Sequence, residues 1–397
     1  MRKILLFTFC LSLAGVSFAT NPICNRVLEY VPAPGQFVNE LPEYMPGDDA
    51  KAMCARVYDY VVNEDAIVTL GAYGGYVTYG FEKTIVNVPG KRDFYVEGNA
   101  LQSNSSTTKG GSSEPGIIMV SYDLNKNGLA DDVWFEIAGS EYDATLSNYE
   151  ITYFKPASLN EDIKWTDNMG GSGYVYRSGY HKQAYWPEWI KEDKMVFKGS
   201  LLPNNSTKEG EQYVLVRYDF GYADNYPNVE TDRKTRNEGA KIDIDWAVDE
   251  FGNTVKMPGV DFIRVYTGVN ATNGPLGENS TEIRKIINNH TKMNGSEEVV
   301  DESVKMDEKV LADFISKYGD GAVEELNNDN LRVHIASTGV LSFYLNQSEL
   351  VQIYNLAGTQ VYSKVAAEGY NTIDLSVCQS GLYLVKIGNT IQKVLKK

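Results

Sequence analysis

The ten residues from Asp123 to Asp132 read DLNKNGLADD and place oxygen-bearing side chains at alternate positions. Asp123, Asn125 and Asn127 supply three of them, Gly128 follows where the chain must turn sharply, and Leu129 can offer its carbonyl. Asp131 and Asp132 can close the shell. A hard cation takes about six to eight oxygens, so this spacing predicts a Ca2+ site. The first six positions match the pattern D-x-[DN]-x-[DN]-G. The remainder departs from it. Trp134 stands where a bidentate Glu should close the loop, and no helical pattern flanks it. Ile117 to Asp123 before the loop and Val133 to Ile137 after it read as strands. The expectation is therefore an ion held in the turn of a β-hairpin. The competing reading is an acidic, Asn- and Gly-rich turn that binds nothing.

A second set of residues points to recognition. Between Ile163 and Ile190 lie Trp165, Tyr174, Tyr176, Tyr180, Tyr185, Trp186 and Trp189, with Gly170, Gly171, Gly173 and Gly179 breaking any regular period. Such a segment reads as a long loop or a loosely paired hairpin. Aromatic rings on a loop can stack on a sugar ring or a flat macrocycle. Trp165, Tyr176, Tyr180, Tyr185, Trp186 and Trp189 are the expected ligand-binding residues; the alternative is that they cover one end of the fold.

Catalytic constellations are sparse. Lys241 to Asp249 alternates, with Ile242, Ile244, Trp246 and Val248 on one face and Asp243, Asp245 and Asp249 on the other. Asp243 and Asp245 would then lie ~7 Å apart on one strand, a spacing compatible with sugar hydrolysis. Glu136 and Glu141 are further carboxylate candidates, and a solvated face or a second calcium site would use the same residues without chemistry. His181, His290 and His334 are far apart, which argues against a zinc cluster. Gly170-Gly-Ser-Gly173 is one residue out of the G-x-S-x-G pattern, and no phosphate-binding or dinucleotide fingerprint is present. Binding is the favoured activity over catalysis. The alternatives are a glycan-binding module and a polysaccharide hydrolase or lyase using Asp243 and Asp245.

Composition and chain ends give an address. The 397 residues carry 53 acidic and 37 basic side chains, a net charge of -16, which argues against nucleic acid and anionic membranes. Arg2 and Lys3 precede an apolar run from Ile4 to Phe18, and Ser17-Phe-Ala19 ends it, so residues 1–19 read as a secretory signal peptide cut after Ala19. Cys10 sits mid-run behind Phe7-Thr-Phe9, which excludes a lipoprotein site. In an oxidising compartment Cys24 and Cys54 can form a disulfide, leaving Cys378 free; three unpaired thiols are the alternative.

The elements that would position these residues are mostly short strands. Tyr76 to Phe81, Asp93 to Glu97, Tyr213 to Tyr218 and Phe262 to Tyr266 alternate between Gly-, Asn- and Pro-rich turns. Residues 20–269 are expected to form an all-β, jelly-roll-like antiparallel sandwich, preceded by one helix from Asp49 to Val62 capped by Asp48 or Asp49. Residues 270–330 turn polar and read as a linker carrying one helix, Asp307 to Tyr318, stopped at Gly319. Residues 331–397 return to strands and form an Ig-sized sandwich of about seven.

That last segment resembles a known family. VQIYNLAGTQV, IDLS followed by SGLYLVKI, and the basic terminus are similar to the C-terminal sorting domain of type IX secretion in Bacteroidetes. The resemblance implies export across the outer membrane by the type IX machinery and display at the cell surface. A second resemblance covers roughly Val27 to Gly268. GAYGGYVTYGFEKTIVNVPGKRDFYVEGNA, SSEPGIIMVSYDLNKNGLADDVWFEIAGSEY, WTDNMGG and KIDIDWAVDEFGNTVKMPGVDFIRVYT are similar to a family of Bacteroidetes cell-surface proteins, often PKD-associated and found near cobalamin-uptake genes. It implies capture of a small molecule, a corrinoid, for an outer-membrane uptake receptor, with calcium as the resident ion.

Overall fold

The computed structural model describes residues 20–397 apart from 104–105, 107, 228–237, 320–332, 336–339, 346, 356–357, 368, 389 and 397. The leader read over residues 1–19 lies outside the described residues. The chain divides into two compact units, residues 1–311 and 312–397.

The first unit is built on two antiparallel sheets. The larger orders its strands Arg26–Val31, Tyr76–Val86, Gly259–Thr267, Gly116–Ser121, Trp134–Ile137 and Ala247–Val248. The smaller orders them Ser172–Val175, Ile163–Asp167, Leu146–Phe154 and Lys194–Leu201. Strand alternation sorts the side chains. Along Leu146–Phe154, Tyr149, Ile151 and Tyr153 are buried while Glu150 and Thr152 are not. These meet Met195 and Phe197 from the same sheet and Ile117 and Tyr266 from the larger one in a single core. A core this rich in tyrosine must satisfy its hydroxyls. Tyr153 Oη donates to the Tyr73 carbonyl at 3.0 Å, and Tyr73 Oη to the Ser200 carbonyl at 3.2 Å. The all-β sandwich expected from the sequence is thus present.

Helix caps fall where their side chains require. Ala50–Tyr58 is helical, with Asp49 accepting from Ala52 N at 2.8 Å, and continues as one wider turn through Asp59–Asn63. Asp48 instead pairs with Arg56 at 2.6 Å. Glu308–Tyr318 is helical, and Asp307 accepts from Lys309 N and Val310 N.

Three expectations need correction. Lys241 to Asp249 is not one strand. Lys241–Ile242 and Ala247–Val248 are short strands in different sheets, joined by a 3₁₀ turn over Ile244–Trp246 that the Asp243 carboxylate caps. Residues 270–300 are not a linker. Glu282–Ile283 pairs with Val68–Thr69 and Ile286–Asn288 with Phe94–Val96, burying Ile283, Ile286 and Ile287, so the first unit extends past residue 269. Cys24 and Cys54 are unbridged. Cys24 N donates to the Ile286 carbonyl at 3.0 Å, whereas the Cys54 thiol lies by the Tyr30 backbone, so the two side chains are held by different partners. Burial pushes both thiols up, to about 12 and about 11.

The second unit holds seven strands among its described residues. Val333–Ile335, Val340–Leu345 and Gly369–Asp374 form one sheet, and Gln360–Ala366, Glu349–Asn355, Gly381–Ile387 and Thr390–Lys396 the other. Leu341, Phe343, Val351, Ile353, Ile373 and Val385 fill the space between them.

Candidate metal loop and buried carboxylates

The hairpin expected around Asp123–Asp132 is present, with Val120 opposite Phe135 and Ser121 opposite Trp134. Inside the turn the side-chain oxygens fold inward. Asp123 Oδ1 and Asn125 Oδ1 both accept from Asn127 N, at 3.1 and 3.0 Å, and Asp123 Oδ2 accepts from Gly128 N at 2.9 Å. Two ligand candidates thus converge on one atom. Each carboxylate oxygen has about two lone pairs, so one N–H per oxygen leaves Asp123 able to bind a cation as well. Gly128 has φ +76°, which suits glycine, and Lys126 has φ +57°. Asn127 Nδ2 donates to Asp131 at 3.1 and 3.3 Å, holding Asp131 toward the loop. Asp132 Oδ2 accepts from Leu124 N at 3.1 Å. Asp123, Asn125, Asn127 and Asp131 are thus tied to one another and to backbone N–H groups within one turn, and Asn127 Oδ1 accepts from Leu129 N at 2.7 Å. The Lys126 ammonium lies 3.8 Å over the Tyr122 ring and 3.5 Å from Asp261.

The aromatic segment does not stay together. Ile163–Asp167 and Ser172–Val175 form the hairpin, with Trp165 opposite Gly173. Tyr185, Trp186 and Trp189 are buried; Trp186 is 0% exposed and Trp189 stacks on Tyr30 with ring centroids 5.8 Å apart. These three belong to the interior, so the expectation of a six-residue exposed surface is corrected. Trp165 is half-buried. Tyr174, Tyr176 and Tyr180 remain in water, Tyr180 at 78% exposure, and the Tyr174 and Tyr176 rings sit 5.8 Å apart.

Asp243 and Asp245 are committed to structure. Asp243 is buried, pairs with Arg92 at 2.6 Å and accepts from Asp245 N at 3.0 Å; burial pushes its carboxyl up. Asp245 accepts from Asn87 Nδ2 at 3.0 Å and Gly90 N at 3.3 Å. His290 Nε2 lies 2.8 Å from the fully buried Asp93, and His181 packs edge-on against Phe37. Glu136 accepts from Ser200 Oγ at 2.6 Å, and burial raises it to about 7.

Among the described residues, the acidic side chains that gather are elsewhere. Glu114, Asp224 and Glu282 each offer an oxygen, and these lie within 4.8 Å of one another. Asp224 and Glu282 are buried. Asp224 accepts from Asn99 N, Ala100 N and Glu282 N at 2.8 to 3.0 Å, and Glu282 from Thr69 Oγ1 at 3.1 Å. Burial raises all three carboxyls, Asp224 to about 7 and Glu282 to about 8, with the neighbouring carboxylates adding to the shift at Glu114 and Glu282. No local pattern marks these residues in the sequence, since they come from three distant segments. The folded state holds protons here that unfolding releases into the ordinary carboxylate range. Stability from this cluster is therefore full at acid pH and falls as pH rises from about 4 through about 8. Denaturant midpoints at about pH 5 and about pH 9 should show this fall, and Glu282→Gln should flatten it. An unchanged slope in that variant would show the cluster does not carry the effect.

Residues 328–397 match the family model of the secretion system C-terminal sorting domain. The C-terminal unit carries a type IX sorting domain. It is the Ig-like sandwich described above, and its turn at Gly358 (φ +77°) closes the VQIYNLAGTQV hairpin, with Thr359 N donating to Asn355 Oδ1 at 2.9 Å. The sorting domain marks the chain as a secreted protein of the cell surface and a client of the type IX machinery. No curated protein matches the chain. Among the described residues no helix is long and apolar enough to cross a membrane.

Proposed function

We propose that the N-terminal unit is a calcium-stabilised binding module that captures a corrinoid at the cell surface, delivered there by the sorting domain. An outer-membrane uptake receptor would be the next partner. The observation that carries a binding role is the exposed tyrosine group, Tyr174, Tyr176 and Tyr180, on and after the Ile163–Val175 hairpin. Exposed rings held on a paired strand offer flat apolar faces at low entropic cost, which suits a macrocycle or a sugar. The corrinoid rests on the sequence resemblance over Val27 to Gly268, and a glycan is the alternative the same rings would accept. A hydrolytic role through Asp243 and Asp245 has less support, because both carboxylates are tied to Arg92, Asn87 and backbone N–H groups.

Two measurements test the reading. Replacing Tyr174 and Tyr176 together by Ala should weaken cyanocobalamin binding by about tenfold or more, since aromatic anchors commonly contribute over 1 kcal/mol each. Affinity untouched by the pair would move the site off the hairpin. For the ion, chelation should lower the melting temperature of the N-terminal unit and calcium restore it. A ligand bound only by the folded state adds about 2.7 kcal/mol at a hundredfold excess over Kd. Asp123→Ala should abolish that response; a melting curve indifferent to chelator in the parent chain would refute the metal.

A further inference from the structure

The strand Arg26–Val31 lies at the edge of the six-stranded sheet, with two strands between it and the hairpin that carries the metal loop. Its pairing with Tyr76–Val86 slips between Val27 and Glu29: Arg26 faces Gly80, Val27 faces Tyr79, and Glu29 faces Thr78. Leu28 is the extra residue of a β-bulge. In a regular strand, residues 26 and 29 would point to opposite faces; the bulge places both on one face. Two side chains are thereby aimed across the sheet: Arg26 ends at the loop, and Glu29 ends on Arg264.

Arg26 is the first arm. Its register neighbours run Gly80, Phe262, Ser121 and Trp134. Gly80 leaves the path open, since a Cβ there would stand 3.0 Å from Arg26 Nε. The guanidinium passes 5.5 Å over the Phe262 ring, and Nη1 donates to the Gly128 carbonyl at 3.1 Å while Nη2 donates to the Phe81 carbonyl at 3.1 Å. Gly128 is the turn residue of the loop, and its N–H is already held by Asp123. Glu29 is the second arm. It pairs with Arg264, whose guanidinium sits 4.6 Å from the ring centroids of both Tyr76 and Trp134. Trp134 occupies the loop position where a closing carboxylate would stand.

We propose that the bulged edge strand Arg26–Val31 clamps the metal loop, with Arg26 as a positioning residue that fixes Gly128, so that cation occupancy of the loop and order of this strand are thermodynamically linked. The inference rests on the calcium reading above. Linkage is reciprocal: what the strand adds to ion affinity, the ion adds to the strand. The test is hydrogen exchange on the full chain, with calcium and with chelator, alongside calcium calorimetry. Calcium should slow exchange across Arg26–Val31 in the parent. Arg26→Met should abolish that ion-dependent protection and weaken calcium binding about fivefold or more, while Arg26→Lys restores part of both. Calcium binding in the parent with no change across Arg26–Val31 overturns the clamp alone, as does an Arg26→Met chain with unaltered affinity. A parent chain that binds no calcium overturns the clamp together with the metal reading.

Discussion

A chain lacking residues 328–397 is expected to stay in the periplasm of a type IX-competent host, while the intact chain reaches the cell surface. The effect should be close to all-or-none, because the deletion removes the whole region that matches the sorting domain. It should not act through misfolding. Leu341, Phe343, Val351, Ile353, Ile373 and Val385 form the core of the C-terminal sandwich, and the N-terminal unit is built around its own. The truncated protein should therefore show the parent's melting transition for the N-terminal unit. Fractionation with surface proteolysis reads the outcome, and surface display of the truncated chain would contradict the sorting role.

Trp186→Ala should cost the N-terminal unit about 3–5 kcal/mol, the range for removing a large buried aromatic side chain. Trp186 is 0% exposed, its Nε1 donates to the Ile190 carbonyl at 3.2 Å, and its own carbonyl accepts from Asn39 Nδ2 at 3.0 Å. Deleting the indole leaves a cavity in the core shared with Tyr153 and Phe197. Tyr180→Ala, at 78% exposure a few residues away, should shift stability by only about 0.5 kcal/mol or less. Denaturant unfolding of the two variants separates a core residue from a surface one. Equal, small losses would mean that Trp186 is not the anchor its burial implies.

These two neighbours show where sequence reading succeeds and where it stops. Local chemistry was legible. Asp49 and Asp307 cap helices because a short carboxylate can reach the free N–H groups one turn on, and that signal is complete within four residues. The Asp123 loop and its flanking strands were legible for the same reason: the alternating oxygens, the glycine and the apolar runs are all contiguous. The ordered motifs of the sorting domain were also sufficient for its assignment. What failed depended on partners distant in the chain. The rings from Trp165 to Trp189 look alike in sequence, but Asn39, Tyr30 and Tyr44 cover some and leave Tyr176 and Tyr180 in water. Lys241 to Asp249 alternates like a strand, yet Asp243 folds onto its own backbone and breaks it into a 3₁₀ turn, the competition short polar side chains always offer. Glu114, Asp224 and Glu282 meet only in the folded chain, so no spacing could announce them.

The most direct test of a surface corrinoid-capture module is a calorimetric titration of the calcium-loaded full chain with cyanocobalamin beside a glycan panel. Saturable cyanocobalamin binding that weakens when Tyr174 and Tyr176 are replaced by Ala is expected, with the glycans giving no comparable heat. Saturable glycan binding with no response to cyanocobalamin would contradict corrinoid capture.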